Sequence, residues 1–304
     1  MAASDAVDNF TNDSAMMIAW ERALESKRPD ALFVDPLAEA LAGTKGETLS
    51  AGFGNMSQMF GFEDWAAFHK TWVAVRTRFI DDRVKECACG FKQLVNLGAG
   101  MDTRPYRLEC YKAFANGSFN VDMKVVNDGK ARIFERVLQA PAAHCPVHRV
   151  DLDFKDEERT LATELGSEGS AFDAAAPALF IAEGLIMYLG ALGKIKLLKD
   201  VSAVAAPGSV FVLQYMDASE SEVAKSTPGA LDNALSKEDA ARELTELGWT
   251  DFEFSKFGDE RLDFARFPTG RFPPSAAFSF CVCIRREDIN AEVCEDLCHG
   301  SRSA

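Results

Sequence analysis

Two glycines that follow a short apolar run have the spacing of a ligand-binding turn. Leu94, Val95 and Leu97 form a run that is typical of a parallel strand covered on both faces. Gly98 and Gly100 come directly after it and predict a tight turn that leaves room for a ligand to approach the backbone. In open α/β sheets, such a turn at the carboxyl end of a strand is where nucleotides bind.

A carboxylate stands where a nucleotide-binding βαβ unit places the partner of its ribose, roughly 20 residues after the glycines. Asp122 ends a second apolar run, and its two oxygens could accept hydrogen bonds from both ribose hydroxyls; the alternative is a solvated acid at a strand end. The turn lacks the third glycine of a dinucleotide fingerprint and the Lys-Ser/Thr pair of a phosphate loop, and Arg104 is the basic residue that follows it. The pattern favours a nucleoside with a compact charged tail over a dinucleotide, and S-adenosylmethionine fits this description.

Two more carboxylates end later strands of the predicted sheet. Glu183 follows the apolar run 178–182, and an acid in such a place needs a partner, so we expect it to face the same crevice as the glycine turn. Asp151 is favoured over Asp153 as the acceptor for the exocyclic amine of an adenine, with a helix N-cap as the equal alternative. Tyr188 is expected to line the pocket with its ring and hydroxyl.

The N-terminal segment supplies two arginines on predicted helices. Arg22 lies close to the apolar stripe of a helix over residues 13–28, and Arg76 lies one register step from the apolar face of a helix over 63–86. A guanidinium offers paired donors to a carboxylate, so either arginine could bind the charged tail of the ligand; a solvated face is the alternative for Arg22. The glycine-rich stretch 43–61 is predicted to be irregular, as a lid or as a packed loop.

The remaining chain alternates strands with helices, which predicts an α/β fold with a doubly wound, seven-stranded, mostly parallel sheet. We expect residues 1–90 to form a helical cap, residues 91–288 the core, and residues 289–304 a flexible tail.

The net charge of the chain limits which macromolecules it is expected to bind. The 304 residues carry a formal net charge of −14, which argues against nucleic acid and anionic membranes as partners. No apolar run approaches the roughly 18 residues needed to span a bilayer, and no apolar signal core is visible at the N-terminus, so we expect a cytoplasmic protein. Eight cysteines are too few for a disulfide scaffold. The Cys-x-Cys pairs at 87/89 and 281/283 could bind zinc jointly, but cysteine in a strand such as 278–284 is usually a small apolar residue. Pro146 breaks the helical spacing of the histidines at 144 and 148, which have no acidic or cysteine partner at ligand spacing, so no metal site is predicted.

Several motifs resemble, in order, those of the leucine carboxyl methyltransferase family, which includes bacterial O-methyltransferases of polyketide biosynthesis. They are Asp-Pro (residues 35–36), Val-Arg-Thr-Arg-Phe-Ile-Asp (75–81), Asn-Leu-Gly-Ala-Gly-Met-Asp-Thr-Arg (96–104), Val-Asp (121–122), Val-Asp-Leu (150–152) and Ala-Glu-Gly-Leu-Ile-Met-Tyr-Leu (182–189). The resemblance covers residues 15–215 and weakens from about residue 220. It implies a Rossmann-like class I methyltransferase that uses S-adenosyl-L-methionine.

The resemblance also implies roles for single residues at the methionine end of the cofactor. Arg76 would pair with the methionine carboxylate, with Gly98 beneath it and Gly100 completing the turn. Glu183 would hold the amino group, and Arg22 is a looser match as a second cation.

At the adenosine end, the resemblance implies that Asp122 holds the ribose and that Asp151 and Leu152 meet the adenine. Tyr188 would orient the methyl acceptor.

The acceptor is expected to be a small molecule. A carboxylate is already ionised at neutral pH and needs no general base, which agrees with the lack of a histidine in the crevice motifs; a hydroxyl, which would need a base, is a close alternative. Two other hypotheses stay open: methylation of the C-terminal leucine of a protein phosphatase 2A catalytic subunit, and a module that binds S-adenosylmethionine without turnover. The oligomeric state is not predicted.

Overall fold

A computed structural model describes residues 3–53, 65–137, 140–217, 234–266 and 278–286 of the chain. Its centre is a seven-stranded sheet with the strand order β3-β2-β1-β4-β5-β7-β6. The strands are β1 Gln93–Leu97, β2 Gly117–Asp122, β3 Val147–Asp151, β4 Leu179–Ala182, β5 Val210–Met216, β6 Trp249–Lys256 and β7 Phe278–Arg285.

The strand directions bring the predicted site residues to one edge of the sheet. Strands β1 to β5 are parallel, with Leu97 opposite Ala182 and Asp122 opposite Asp151. The turn after β1, the end of β2 and the residue after β4 therefore lie side by side. Strand β7 runs antiparallel between β5 and β6, so its first residue, Phe278, pairs with Met216 at this same edge.

Helices cover both faces of the sheet and also pack against the turn after β1. They are α1 Ala3–Ser26, α2 Ala38–Phe53, α3 Trp65–Cys87, α4 Arg104–Arg107, α5 Lys124–Arg136, α6 Leu161–Leu165, α7 Gly190–Val204 and α8 Lys237–Glu246. In the part of the chain that the structure describes, none of them is long and apolar enough to cross a bilayer.

The central strands alternate their side chains between two apolar layers. Val95 and Leu97 of β1 pack with α7 on one face, whereas Leu94 packs with α3 on the other. Burial on both faces explains why the sequence of β1 contains a short apolar run instead of alternating apolar and polar residues.

Helix α2 corrects the expectation of an irregular segment over residues 43–61. Gly43 adopts φ 57° and kinks the helix, but the helix continues to Phe53; residues 54–61 lie outside the described part of the chain. Gly46 explains why a glycine-rich stretch is helical here. A Cβ at this position would collide with the carbonyl oxygen of Met16, so the missing side chain lets α2 pack closely against α1.

Candidate functional site

The glycine turn after β1 is tied to the end of β2 by its own amides. Gly98 and Gly100 have φ angles of 66° and 44°, in the left-handed region that favours glycine. The amide of Gly98 donates to the carbonyl of Val121 at 2.8 Å, and that of Gly100 donates to Oδ2 of Asp122 at 2.6 Å. The turn and the predicted ribose carboxylate therefore form one hydrogen-bonded unit.

Substituting Gly98 by alanine should loosen this unit. The residue would be held at a positive φ, and its Cβ would lie 3.0 Å from Cδ1 of Leu185, which is tighter than ordinary van der Waals contact. Strain of about 1–2 kcal/mol from the backbone and crowding of about 1–3 kcal/mol should together lower the urea midpoint.

Gly169→Ala is the matched control for this prediction. Gly169 has φ 82° but open space where a Cβ would stand, so it should show the backbone strain alone. Equal losses in the two variants would contradict the crowding argument.

Asp122 is buried and already partly used as a hydrogen-bond acceptor. Its Oδ1 accepts the Met123 amide at 2.7 Å, in addition to the Gly100 amide on Oδ2. Each oxygen has the capacity for a second hydrogen bond, one for each hydroxyl of a diol. Burial raises the pKa of Asp122 to about 6, although the two amides favour its ionised form.

This raised pKa predicts a pH dependence of ligand binding. The affinity for a diol-bearing ligand such as adenosine should fall as the pH drops through about 6, because a protonated Asp122 loses acceptor capacity. Calorimetric titration with adenosine on both sides of this pH measures the effect, and Asp122→Asn should abolish the dependence. The free energy of unfolding depends on pH with the opposite sign. The contribution of Asp122 to stability is fully present below pH 3.8 and is lost as the pH rises through about 6.

Asp151 and Leu152 lie next to Asp122, at the end of β3. Asp151 accepts hydrogen bonds from Nδ2 of Asn127 at 2.8 Å and from Nε and Nη2 of Arg149 at 2.7 and 2.8 Å. Burial alone would raise the pKa of Asp151, but the Arg149 guanidinium and the Asn127 amide lower it. The Leu152 side chain is fully buried in the core, and its amide donates to the carbonyl of Asp122. The contacts of both residues with an adenine stay predictions.

Glu183 lies between two arginines directly after β4. Arg76 donates from Nε to Oε1 at 2.7 Å, and Arg104 donates from Nη1 to Oε2 at 2.8 Å. Burial alone would raise the pKa of Glu183, but the Arg104 and Arg76 guanidiniums lower it to about 2. The structure thus brings Arg76 and Glu183 together, and each Glu183 oxygen keeps room for a further donor.

The arginine network behind Glu183 was not predicted from the sequence. Asp81, which is 1% exposed, accepts from Nε of Arg104 at 2.7 Å and from Nη2 of Arg107 at 2.7 Å. A signal was present, because Asp81 lies in a largely apolar helix and such an acid needs a partner. Arg104 was noted only as the basic residue after the glycine turn.

Arg22 is placed beside the site but is engaged elsewhere. Its Nε donates to Oδ2 of Asp35 at 2.9 Å and its Nη2 donates to the carbonyl of Met101 at 2.6 Å. Asp35 also accepts from Oγ1 of Thr103 at 2.6 Å. Arg22 therefore ties α1 to the turn after β1, and its contact with a ligand carboxylate stays a prediction.

Tyr188 ends a 3-10 turn, Ile186–Tyr188, between β4 and α7, and is half-buried. Its role toward an acceptor also stays a prediction.

A second residue that was not predicted from the sequence is Lys130 on α5. Burial lowers the pKa of the Lys130 ammonium to about 8, and among the described residues its Nζ has no hydrogen-bond partner.

Comparison with known proteins agrees with the predicted fold. A DUF574 family protein from Streptomyces avermitilis superposes with a TM-score of 0.56 at 14% identity, covering 90% of this chain and 97% of that chain. A structure from Thermobifida fusca, titled as a methyltransferase, gives a TM-score of 0.52 at 14% identity, covering 72% and 82%. The sheet order and these likenesses confirm the Rossmann-like class I methyltransferase fold.

Sequence comparison identifies the family. A protein of Parafrankia sp. (strain EAN1pec), named as an S-adenosyl-L-methionine-dependent methyltransferase, is 34% identical over 209 residues, which is 66% of this chain and 62% of the relative. The match thus spans less than two thirds of that relative's length. The family model described as leucine carboxyl methyltransferase matches residues 15–202. Because this match covers more than half of the chain, the protein belongs to the leucine carboxyl methyltransferase family.

Proposed function

We propose that this protein is an S-adenosylmethionine-dependent O-methyltransferase that acts on a small molecule. The observation that carries the proposal is the meeting of the glycine turn, Asp122 and the Arg76–Glu183 pair at one edge of the sheet. Family membership and the name of the Parafrankia relative support it. In this proposal residues 1–90 are the cap and residues 91–288 the cofactor-binding core.

The residues present fit S-adenosylmethionine. Gly98 has a positive φ and adds no side chain to the turn, and the Leu185 side chain packs where its Cβ would stand. Asp122 has acceptor capacity for the ribose diol, and Glu183 has it for the amino group. Arg76 uses Nε for Glu183, so its Nη groups are the donors that would bind the carboxylate.

The contribution of the protein to methyl transfer would be alignment and exclusion of water. S-adenosylmethionine supplies an electrophilic methyl group on a sulfonium. Residues that fix the two ends of the donor hold this methyl in one position relative to the acceptor, and good alignment is worth on the order of 7–11 kcal/mol in intramolecular reactions. Tyr188 is the residue we propose to orient the acceptor.

Two chemical groups are candidates for the methyl acceptor. A carboxylate fits the crevice motifs, which contain no histidine to serve as a base. A hydroxyl, which would need a general base, is the close alternative. We favour small molecules over a protein phosphatase 2A subunit because the motifs of the chain resemble those of bacterial members.

Turnover tests the proposal. Incubation with methyl-labelled S-adenosylmethionine and panels of carboxylic acids and phenols should transfer label to one panel, as a base-labile ester or a base-stable ether. Calorimetry with S-adenosylhomocysteine should show binding at a single site. Binding without any methylated product would support a non-catalytic module, and the absence of binding would remove the cofactor assignment.

A further inference from the structure

Lys130 of α5 is a buried lysine whose ammonium makes no hydrogen bond to the described part of the chain. Its side chain is 8% exposed, and its Nζ has no partner there. The other lysines that the structure describes are half-buried or exposed. Burial of an ammonium costs free energy unless nearby charges compensate for it, so the charges around Lys130 should explain why it is buried.

The Lys130 side chain lies on the face of α5 that contacts the ends of β2 and β3. Asn127, one turn earlier on the same face, donates from Nδ2 to the carbonyl of Asp122 at 3.2 Å and to Oδ1 of Asp151 at 2.8 Å. Side chains of an α-helix lean toward its N-terminus, and α5 begins two residues after Asp122. The Lys130 side chain is therefore directed back toward Asp122 and the glycine turn.

The charges that act on Lys130 come from four segments of the chain. Burial lowers the pKa of the ammonium to about 8, so it is still charged at neutral pH. Asp102, in the turn after β1, and Asp122, at the end of β2, oppose the effect of burial. Asp35, ahead of α2, does the same, whereas Arg22 of α1 lowers the pKa further.

Two of these three carboxylates have an arginine of their own. Asp35 accepts a hydrogen bond from Nε of Arg22 at 2.9 Å. Asp102 lies 3.4 Å from Nη1 of Arg104 and accepts from the backbone amide of the same arginine at 3.0 Å. Neither of them depends on Lys130 for a compensating charge.

Asp122 is the third carboxylate, and the hydrogen bonds described for it come from neutral groups. It accepts from the backbone amides of Gly100 and Met123 at 2.6 and 2.7 Å. Lys130 is the cation that favours its ionised form, and Asp153, just beyond β3, opposes it. A buried carboxylate without a bonded cation depends on such a charge to stay ionised.

We propose that Lys130 is the positioning residue of the ribose site: its buried ammonium keeps Asp122 ionised, so that both carboxylate oxygens accept the hydroxyls of the bound nucleoside. This inference rests on the proposed function and adds a residue to its donor site. Lys130 acts through Asp122 and does not itself contact the ligand. Its substitution should therefore change the pH at which the ligand is bound rather than the set of contacts that the ligand makes.

The pH dependence of binding in Lys130→Met is the main test. Calorimetric titration of the wild type with S-adenosylhomocysteine should show an affinity that falls as the pH drops through about 6. In Lys130→Met the midpoint should be about one pH unit higher, because a nearby opposite charge lowers the pKa of a carboxyl by about 1–3 units. Such a shift corresponds to about threefold weaker binding at roughly pH 6.5 and to nearly equal binding at roughly pH 8.5, where Asp122 is ionised in both proteins.

Two control variants isolate the buried charge. Lys130→Arg keeps a cation at the same position, so its midpoint should stay close to that of the wild type. Lys124, on the same helix, is 71% exposed in its ion pair with Asp128. Lys124→Met changes the net charge by the same amount and should leave the midpoint unchanged, because solvent screens an exposed charge.

A double-mutant cycle separates an effect through Asp122 from a general loss of structure. In an Asp122→Asn background the ligand meets a side chain that does not ionise. Lys130→Met should then cause no further change in affinity at any pH, since two residues that act through one interaction are not additive. A purely structural role of Lys130 would instead weaken binding by the same factor in both backgrounds.

The outcomes distinguish this inference from the proposed function. An unshifted midpoint in Lys130→Met, an equal shift in Lys130→Arg, or a loss of affinity by one factor at every pH would overturn the role of Lys130 and leave the proposed function in place. A wild type that does not bind S-adenosylhomocysteine would remove both. Lys130→Met should fold, because the lost ammonium leaves no described acceptor unpaired; if it does not fold, Lys130→Gln replaces it in the same titration.

Discussion

Asp122→Ala should lower the affinity for S-adenosylhomocysteine by about 10²- to 10⁴-fold. The substitution removes the acceptor of two ribose hydroxyls, and hydrogen bonds to a charged group contribute about 1.5–3 kcal/mol each, with about 1.4 kcal/mol for every tenfold in affinity. It also leaves the amides of Gly100 and Met123 without their acceptor, so the glycine turn loses its tie to β2. Calorimetric titration at a pH well above 6 measures the change.

Glu168→Ala is the matched control. Glu168 is exposed and lies in the loop between α6 and the start of β4, away from the carboxyl edge of the sheet. Its removal should leave the affinity within about twofold of wild type, since exposed substitutions away from such features stay within about 0.5 kcal/mol. An unchanged affinity in Asp122→Ala, with the control also unchanged, would contradict the ribose assignment.

The sheet, and the positions of the glycine turn and the carboxylates at its edge, could be predicted because each depends on a local sequence pattern. A continuous apolar run that ends in glycine or an acid marks a buried strand and its carboxyl end, and parallel strands bring those ends to one edge. The meeting of the Gly98 turn with Asp122, and the position of Glu183 after β4, were therefore predictable without any knowledge of packing.

The packing of the N-terminal helices could not be predicted in the same way, because it depends on contacts between distant segments. Gly46 favours a loop by composition, but close packing on Met16 makes it part of a helix. For Arg22 the sequence left a ligand contact and a solvated face open, and it did not predict the hydrogen bonds of this residue to Asp35 and to the Met101 carbonyl. The pairing of His69 with Glu21 joins residues 48 positions apart and has no local signature.

The second large effect is on stability: Glu183→Gln should lower the free energy of unfolding by about 3–5 kcal/mol, because removing one member of a buried ion pair leaves the other charge uncompensated. Here two guanidiniums, those of Arg76 and Arg104, lose their charged partner, while the amide keeps the shape of the carboxylate. The urea midpoint at neutral pH measures the loss. Glu109→Gln is the matched control, because Glu109 is 81% exposed in its ion pair with Lys112 and should change stability by less than about 1 kcal/mol.

The same variant should change the response of the protein to acid. The pKa of Glu183 is lowered from 4.5 to about 2 in the folded protein, so its contribution to stability is fully present above pH 4.5 and is lost as the pH falls through about 2. Wild type should lose stability over this interval, and Glu183→Gln should lose less, so that the two unfolding curves approach each other at low pH. A constant difference between them would show that the loss comes from altered packing rather than from charge. In the proposed complex, the amino group of S-adenosylmethionine binds the same carboxylate. A loss of stability caused by charge would therefore mean that Glu183 both binds the donor and holds the two arginines in place.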